Sequence, residues 1–238
     1  MMVTVIGRGH SGTRAISHTL TQSGFFMGGE INSSGDLVPP ESMYEACRVF
    51  GSYVKYNGNM SWDFSKVLEM EPTAEFVSLI EDYLSTVLNS DAADKGWKIP
   101  ETTLVYPWII KMFPDIHYIH WVRDPRDCIL AAHVTDDLND FNIEYDNTDD
   151  VRYRRAISWT YQRKLMDATP APKNMLAVRF EDMVFNQDET LARLEKFLDR
   201  SLVKIEMRKD SVGRYKKDMD NSMFDFLKPE LEKWGYTD

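Results

Sequence analysis

The chain lacks any run of the roughly 18 or more uninterrupted apolar residues that a membrane helix needs, because charged residues recur from end to end. No bilayer-spanning segment is expected. The N-terminus, MMVTVIGRGH, lacks a basic segment followed by a longer apolar stretch and a cleavage site, so the expected location is the cytoplasm. Cysteine is scarce. Cys47 and Cys128 stand far apart and are read as small buried side chains rather than as a disulfide. Positive charge is also short: 28 Lys and Arg against 38 Asp and Glu leave a formal charge of −10. Nonspecific nucleic-acid binding, which demands a basic face, is thereby disfavoured. No His, Cys or carboxylate cluster has metal-ligand spacing. With no internal repeat and no low-complexity linker, 238 residues at 43% hydrophobic content are expected to form one domain, 1–238, around a sizeable core.

What is present is unevenly placed. Asp136 to Asp150 carries seven acidic residues and no basic one, whereas Lys204 to Lys217 carries six basic residues against two acidic. Two readings are open: solvated faces, or a basic site for a small polyanion with an acidic cover that favours a cationic or neutral acceptor. Short aliphatic and aromatic runs at Val3 to Ile6, Ile116 to Val122 and Met175 to Phe180 predict strands. Helical spacing lies between and after them, at Ile16 and Leu20 and at Leu191, Leu194, Phe197 and Leu198, with Asn186 and Glu189 resembling a cap. The alternation predicts an α/β domain of P-loop type, with a central, mainly parallel sheet flanked by helices. The segment from about 32 to 94, interrupted by Gly35, Pro39, Pro40, Gly51 and Gly58, is expected to be irregular with helical parts and to cover the acceptor side of a site.

VTVIGRGHSGTRAI passes from a strand through glycines and Ser-Gly-Thr into a helix. Glycines let backbone N–H groups approach an anion, and a helix N-terminus adds unsatisfied donors and the positive dipole end. A phosphate is expected there. The ordinary nucleotide loop would place Lys and then Ser or Thr after Gly12, where this chain has Thr13 and Arg14, so a Mg-nucleotide kinase is disfavoured. In PDIHYIHWVRDPRDCILAAH a strand ends at Val122 and a helix starts after Asp124, fixing Arg123 at a strand's C-terminal edge, where open α/β sheets bind ligands.

GRGHSGTR resembles the 5′-phosphosulfate loop of the sulfotransferase family, and the block around Arg123 resembles that family's 3′-phosphate motif. Further resemblances follow in order: GWKIPETTLVYPWIIKMFPD to the Lys-x-Pro segment, MLAVRFEDMVFNQDETLARLEKFLD to the late strand and helix, and MRKDSVGRYKKDM to the Arg-Lys-Gly loop. The family implies 3′-phosphoadenosine 5′-phosphosulfate (PAPS) as donor, no metal, and a small-molecule or glycan acceptor. By resemblance the donor would be held by Arg8, Gly9, His10, Ser11, Gly12, Thr13, Arg14, Arg123, Arg208, Lys209 and Arg214, with Arg179, Glu181 and Asp182 structural. Four positions depart from the pattern: His10 replaces a lysine or arginine, Ala131 a serine, Asp210 a glycine and Tyr215 a tryptophan.

Sulfuryl transfer needs a base for the acceptor proton and cations for the leaving oxygen. Glu30, after FFMGG, resembles the base of heparan sulfate O-sulfotransferases; Glu101 is the reserve, and His120 and His133 are weaker candidates. Lys98, with His10 or Arg14, would supply the charge. Two rival classes stay open at this point, a small-molecule kinase and a catalytically inactive nucleotide-binding homologue.

Overall fold

The computed structural model describes residues 1–218 and 224–236. Met219, the end of MRKDSVGRYKKDM, lies outside them. The chain runs β1 (Met2–Ile6), α1 (Thr13–Gln22), α2 (Glu41–Gly51), β2 (Lys55–Gly58), β3 (Ser61–Asp63), α3 (Ser65–Glu69), α4 (Ala74–Tyr83), α5 (Ser85–Leu88), β4 (Lys95–Lys98) and α6 (Tyr106–Met112). It continues through β5 (His117–Val122), α7 (Pro125–Cys128), α8 (Val151–Ala168), β6 (Met175–Arg179), α9 (Phe180–Phe185), α10 (Gln187–Leu198) and α11 (Lys228–Lys233). Strands β4, β1, β5 and β6 form a parallel sheet in that order, with Val5 opposite Lys98 and Ile6 opposite His120.

This order positions the site. Parallel strands all point their C-terminal ends to one edge, and neighbours lie about 4.8 Å apart. β1 therefore delivers the glycine loop between the ends of β4 and β5. Lys98 ends the strand on one flank, and Arg123 follows the strand on the other. Three of the strands match the expected runs. β4 was not among the expectations, since Lys95-Gly96-Trp97-Lys98 has no apolar run; pairing with β1 makes it a strand.

The segment 32–94 is more regular than expected. Its glycines and prolines bound elements instead of interrupting an irregular region: Pro40 precedes α2, Gly51 ends it, and Gly58, at φ 86°, lies where β2 turns into β3. The apolar faces of these helices join the larger core. Phe50 and Phe76 meet the fully buried Trp108 ring edge-on, at 5.1 and 4.8 Å between centroids, and Trp108 Nε1 donates to Val67 O at 2.9 Å. A second core beneath the other sheet face gathers Val3, Val5, Ile16, Leu20, Ile119 and Val178 with Leu191 and Leu194. Asn186 does sit at the start of α10, but its side chain makes no cap bond; its backbone N–H closes the last turn of α9 on Asp182 O at 2.8 Å.

Part of the acidic run is built into the fold, while Asp140, Glu144, Asp146, Asp149 and Asp150 are exposed. Buried Asp136 pairs with Arg8 and Arg155 and accepts from His133 N, Asp137 and Asp150 cap helical turns, and Asp146 accepts from Tyr56. Between them Phe141 and Ile143 are buried in the larger core. Among the described residues no helix is long and apolar enough to cross a membrane.

Because Trp108 joins α2 and α4 to the sheet, Trp108→Ala is expected to cost about 3–5 kcal/mol. Denaturant unfolding should show the loss as one lowered transition; a separate early transition of 32–94 would mean that the segment does not share the core.

Candidate functional site

At the C-terminal edge of the sheet lies a cavity of about 410 Å³ lined by the glycine loop, α1, the turn at 34–36, Lys98, Arg123, His133, Phe180 and the segment 205–214. That is within the size range of small-molecule sites. Five arginine and lysine side chains reach it, Arg14, Lys98, Arg123, Arg208 and Arg214, against two carboxylates, Asp36 and Glu206.

The loop's shape follows from close packing. Gly12 has φ 84°, and a Cβ there would come within 2.5 Å of the Phe180 ring; a Cβ on Gly9 would strike the His133 ring. Neither position tolerates a side chain without movement. The turn is tied by Ser11 N and Oγ, both donating to Arg8 O, and by Trp121 Nε1 donating to Ser11 O at 3.0 Å. Thr13 then opens α1, whose first-turn N–H groups face no earlier helical carbonyl.

Arg123 is buried and organises one flank. It donates to His10 O at 2.9 Å, to Asp127 Oδ2 at 3.0 Å and to Ser211 O, and its guanidinium lies 4.6 Å over the Phe180 ring. Its Nε is buried without a partner among the described residues. Asp127 in turn accepts from Gly213 N at 2.9 Å and Tyr215 N at 3.0 Å, which holds the 208–215 segment against α7. Arg208, Ser211 and Arg214 are carried to the cavity on that segment. Glu181 supports the same edge, accepting from Asp124 N and Tyr236 Oη, and Arg179 lies over the Tyr236 ring and 3.8 Å from Asp182.

Lys98 organises the other flank. Its Nζ donates to Ser34 O at 2.8 Å and to Asp36 Oδ1, and its carbonyl accepts from Leu37 N at 3.0 Å. Burial lowers the Lys98 pKa, and Asp36 opposes that effect. His133 packs beside it with Nδ1 against Thr135 and Nε2 3.9 Å from Glu101. Desolvation, reinforced by Arg8, holds His133 down at about 3, so the ring is neutral. Buried Glu101 is pushed up to about 7 by desolvation and Asp36.

The expected site residues divide accordingly. Gly9, His10, Gly12, Thr13, Arg14, Lys98, Arg123, Arg208 and Arg214 come together around the cavity. Arg8, Ser11, Lys209 and Glu30 do not line it. Arg8 is turned inward, donating to Gly9 O and Cys128 O and pairing with Asp136, because a buried guanidinium requires a counter-charge. Ser11 spends its hydroxyl on the loop itself, and Lys209 and Glu30 are exposed. His10 donates from Nε2 to Ala132 O, and desolvation lowers its pKa, so it is a neutral loop brace at neutral pH and not a fixed cation. Of the departing positions, Ala131 and Asp210 also lie off the cavity. Asp36, which does line it, carries no signal in the local sequence. His120 is structural, accepting from Arg163 at 2.8 Å.

A family model described as the sulfotransferase family matches residues 3–203. The chain belongs to the sulfotransferase family. Its fold is similar to the sulfotransferase domain from the curacin biosynthetic pathway, with TM-score 0.59 and 12% identity over 99% of this chain and 97% of that one. It is also similar to a sulfotransferase from Alicyclobacillus acidocaldarius, with TM-score 0.54 and 14% identity over 99% and 96%. No curated protein matches the chain.

Native Glu101 holds its proton to higher pH than an unfolded carboxyl at 4.5, so the stability that it contributes is full below 4.5 and is withdrawn as pH rises through about 7. Glu101→Gln should therefore match the parent at pH 4.5 and exceed it by roughly 1–3 kcal/mol at pH 8 in urea titrations. An identical loss from pH 4.5 to 8 in both proteins would remove Glu101 as the cause.

Proposed function

We propose that this sulfotransferase transfers the sulfuryl group of PAPS to a hydroxyl or amine of its acceptor. The observation that carries the reading is the convergence of five fixed cations and a backbone loop on one cavity in a chain whose net charge is −10. The residues suit a donor with phosphates at both ends. The Gly9–Arg14 loop, with Arg14, would hold the 5′ side, and Arg123, Arg208 and Arg214 the 3′ phosphate. Ile205, Met207 and Ala15 give the same cavity an apolar wall on which an adenine could lie. PAPS supplies an activated sulfuryl group whose departure leaves a phosphate oxygen bearing charge.

On that reading Lys98 stabilises the sulfuryl oxygens and the departing phosphate from the β4 flank, where a desolvated ammonium acts strongly. Arg14, exposed at the start of α1, joins it together with the helix dipole. Neutral His10 contributes position: its carbonyl holds Arg123 and its ring fixes Ala132. The absence of a lysine from the loop, where Thr13 and Arg14 stand, argues against Mg-ATP as the ligand.

Thermal shift with 3′,5′-adenosine bisphosphate, AMP and Mg-ATP tests the donor site, since a ligand of the native state raises apparent stability. The bisphosphate should give the largest shift. Arg123→Ala should erase roughly 1.5–3 kcal/mol of its advantage over AMP, and Arg214→Ala, at an exposed position, should erase part of it without a change in the unliganded Tm. Equal shifts with bisphosphate and AMP, or a larger one with Mg-ATP, would overturn the reading.

A further inference from the structure

The proposed transfer still requires a group to take the acceptor proton, and the cavity narrows the choice. Two carboxylates line it among the described residues. Glu206 belongs to the 205–214 segment, which Ser211 O and Gly213 N tie to Arg123 and Asp127, and among the described residues it makes no hydrogen bond or ion pair with Lys98. Asp36 belongs to the Lys98 flank. Its Oδ1 receives the Lys98 ammonium, its Oδ2 accepts from Asn32 Nδ2 at 3.1 Å, and its side chain keeps 17% exposure.

The turn that presents Asp36 is braced on every side. Asn32 Oδ1 accepts from Ser34 N at 2.8 Å and Asp36 N at 3.0 Å, Ser17 Oγ on α1 donates to Gly35 O at 2.8 Å, and Leu37 N donates to Lys98 O. The arms of the turn pair through Val38 N and Glu30 O at 3.0 Å, so Glu30 lies on the opposite arm with its side chain in solvent. Among the described residues three histidines line the cavity and each is engaged: His133 Nδ1 accepts from Thr135 N, His10 Nε2 donates to Ala132 O, and the His18 ring hydrogen-bonds the Ser33 backbone. Glu101 lies behind the wall and does not line the cavity.

We infer that Asp36, not Glu30, is the catalytic base of this enzyme, working as a pair with Lys98. The inference rests on the sulfuryl-transfer reading above. As the acceptor oxygen forms its bond to sulfur, its proton passes to the Asp36 carboxylate. The bond from sulfur to the 5′-phosphate oxygen breaks, and its electron pair leaves with 3′,5′-adenosine bisphosphate while Lys98 turns from Asp36 toward that oxygen. The ground-state ion pair thus holds both groups within one bond of each other before the acceptor arrives.

Asp36→Asn separates a base from a mere holder of Lys98, because the amide oxygen still accepts from Lys98 but cannot take a proton. The measurements are bisphosphate thermal shift and bisphosphate release from PAPS with water, phenol and ethanolamine as acceptors, between pH 5 and 9. Asp36→Asn should keep the parent's bisphosphate shift and lose roughly 10²- to 10⁴-fold in turnover at every pH in that range. Glu30→Gln should retain full turnover. Full or faster turnover by Asp36→Asn, or a slow Glu30→Gln, would overturn the assignment. Failure of the sulfuryl-transfer reading would look different: an unaltered protein without a bisphosphate shift, or without turnover on any of the three acceptors, overturns the function and the base with it.

Discussion

One end of the cavity hangs on one buried guanidinium. Arg123 donates to the glycine loop at His10 O, to α7 at Asp127 and to the C-terminal segment at Ser211 O, so three stretches far apart in sequence meet on a single side chain. Burying such a charge costs several kcal/mol unless it is paired and its hydrogens are used. Asp127, wholly buried, supplies the counter-charge and spends its remaining lone pairs on Gly213 N and Tyr215 N. Each group would be an uncompensated buried charge without the other. The segment bearing Arg208 and Arg214 has only short 3₁₀ turns of its own, and this pair is what gives it a place.

A parallel sheet makes that arrangement possible. With β1 between β4 and β5, the loop after β1 is flanked by Lys98 on one side and Arg123 on the other. The two cations cannot exchange roles. Arg123 stands where α7 and the C-terminal segment bring more cations, whereas Lys98 stands where the 32–37 turn brings a carboxylate and a neighbouring carbonyl. One flank gathers positive charge and the other pairs it.

Much of this was readable in the residues, and the failures have a common cause. The strand-glycine-helix passage, the strand ending at Arg123 and the Lys98 segment are local patterns, and each is found at the cavity wall. Arg8 sits inside the same loop motif, yet spacing does not say which side of a turn a side chain leaves from; its partner Asp136 is 128 positions away. The acidic run looked free because its cations, Arg8 and Arg155, are distant or lie on a separate helix. Asp36 shows no periodicity and no motif, and only its contact with Lys98, 62 positions on, marks it. β4 was missed for the same reason, since its strand character comes from β1.

Charge ties these points together. An acidic protein holding a polyanion would be self-defeating if its carboxylates acted at a distance, but here, apart from exposed Glu206, the acids nearest the site are consumed: Asp136 by Arg8, Asp127 by Arg123, Asp124 by Arg126 and Asp36 by Lys98. Buried pairs are nearly neutral from outside, and their worth is the geometry that they impose. On the proposed reading, long-range attraction for an anionic donor then falls to the exposed Arg14, Arg208 and Arg214. Those charges are open to screening, which salt imposes within about 8–10 Å at ordinary ionic strength. The paired cations act only after arrival, at contact distance, where salt reaches them poorly. On that reading capture therefore draws on the exposed cations and chemistry on the paired ones, with Arg14 serving both, and the acidic excess fixes the paired set in position.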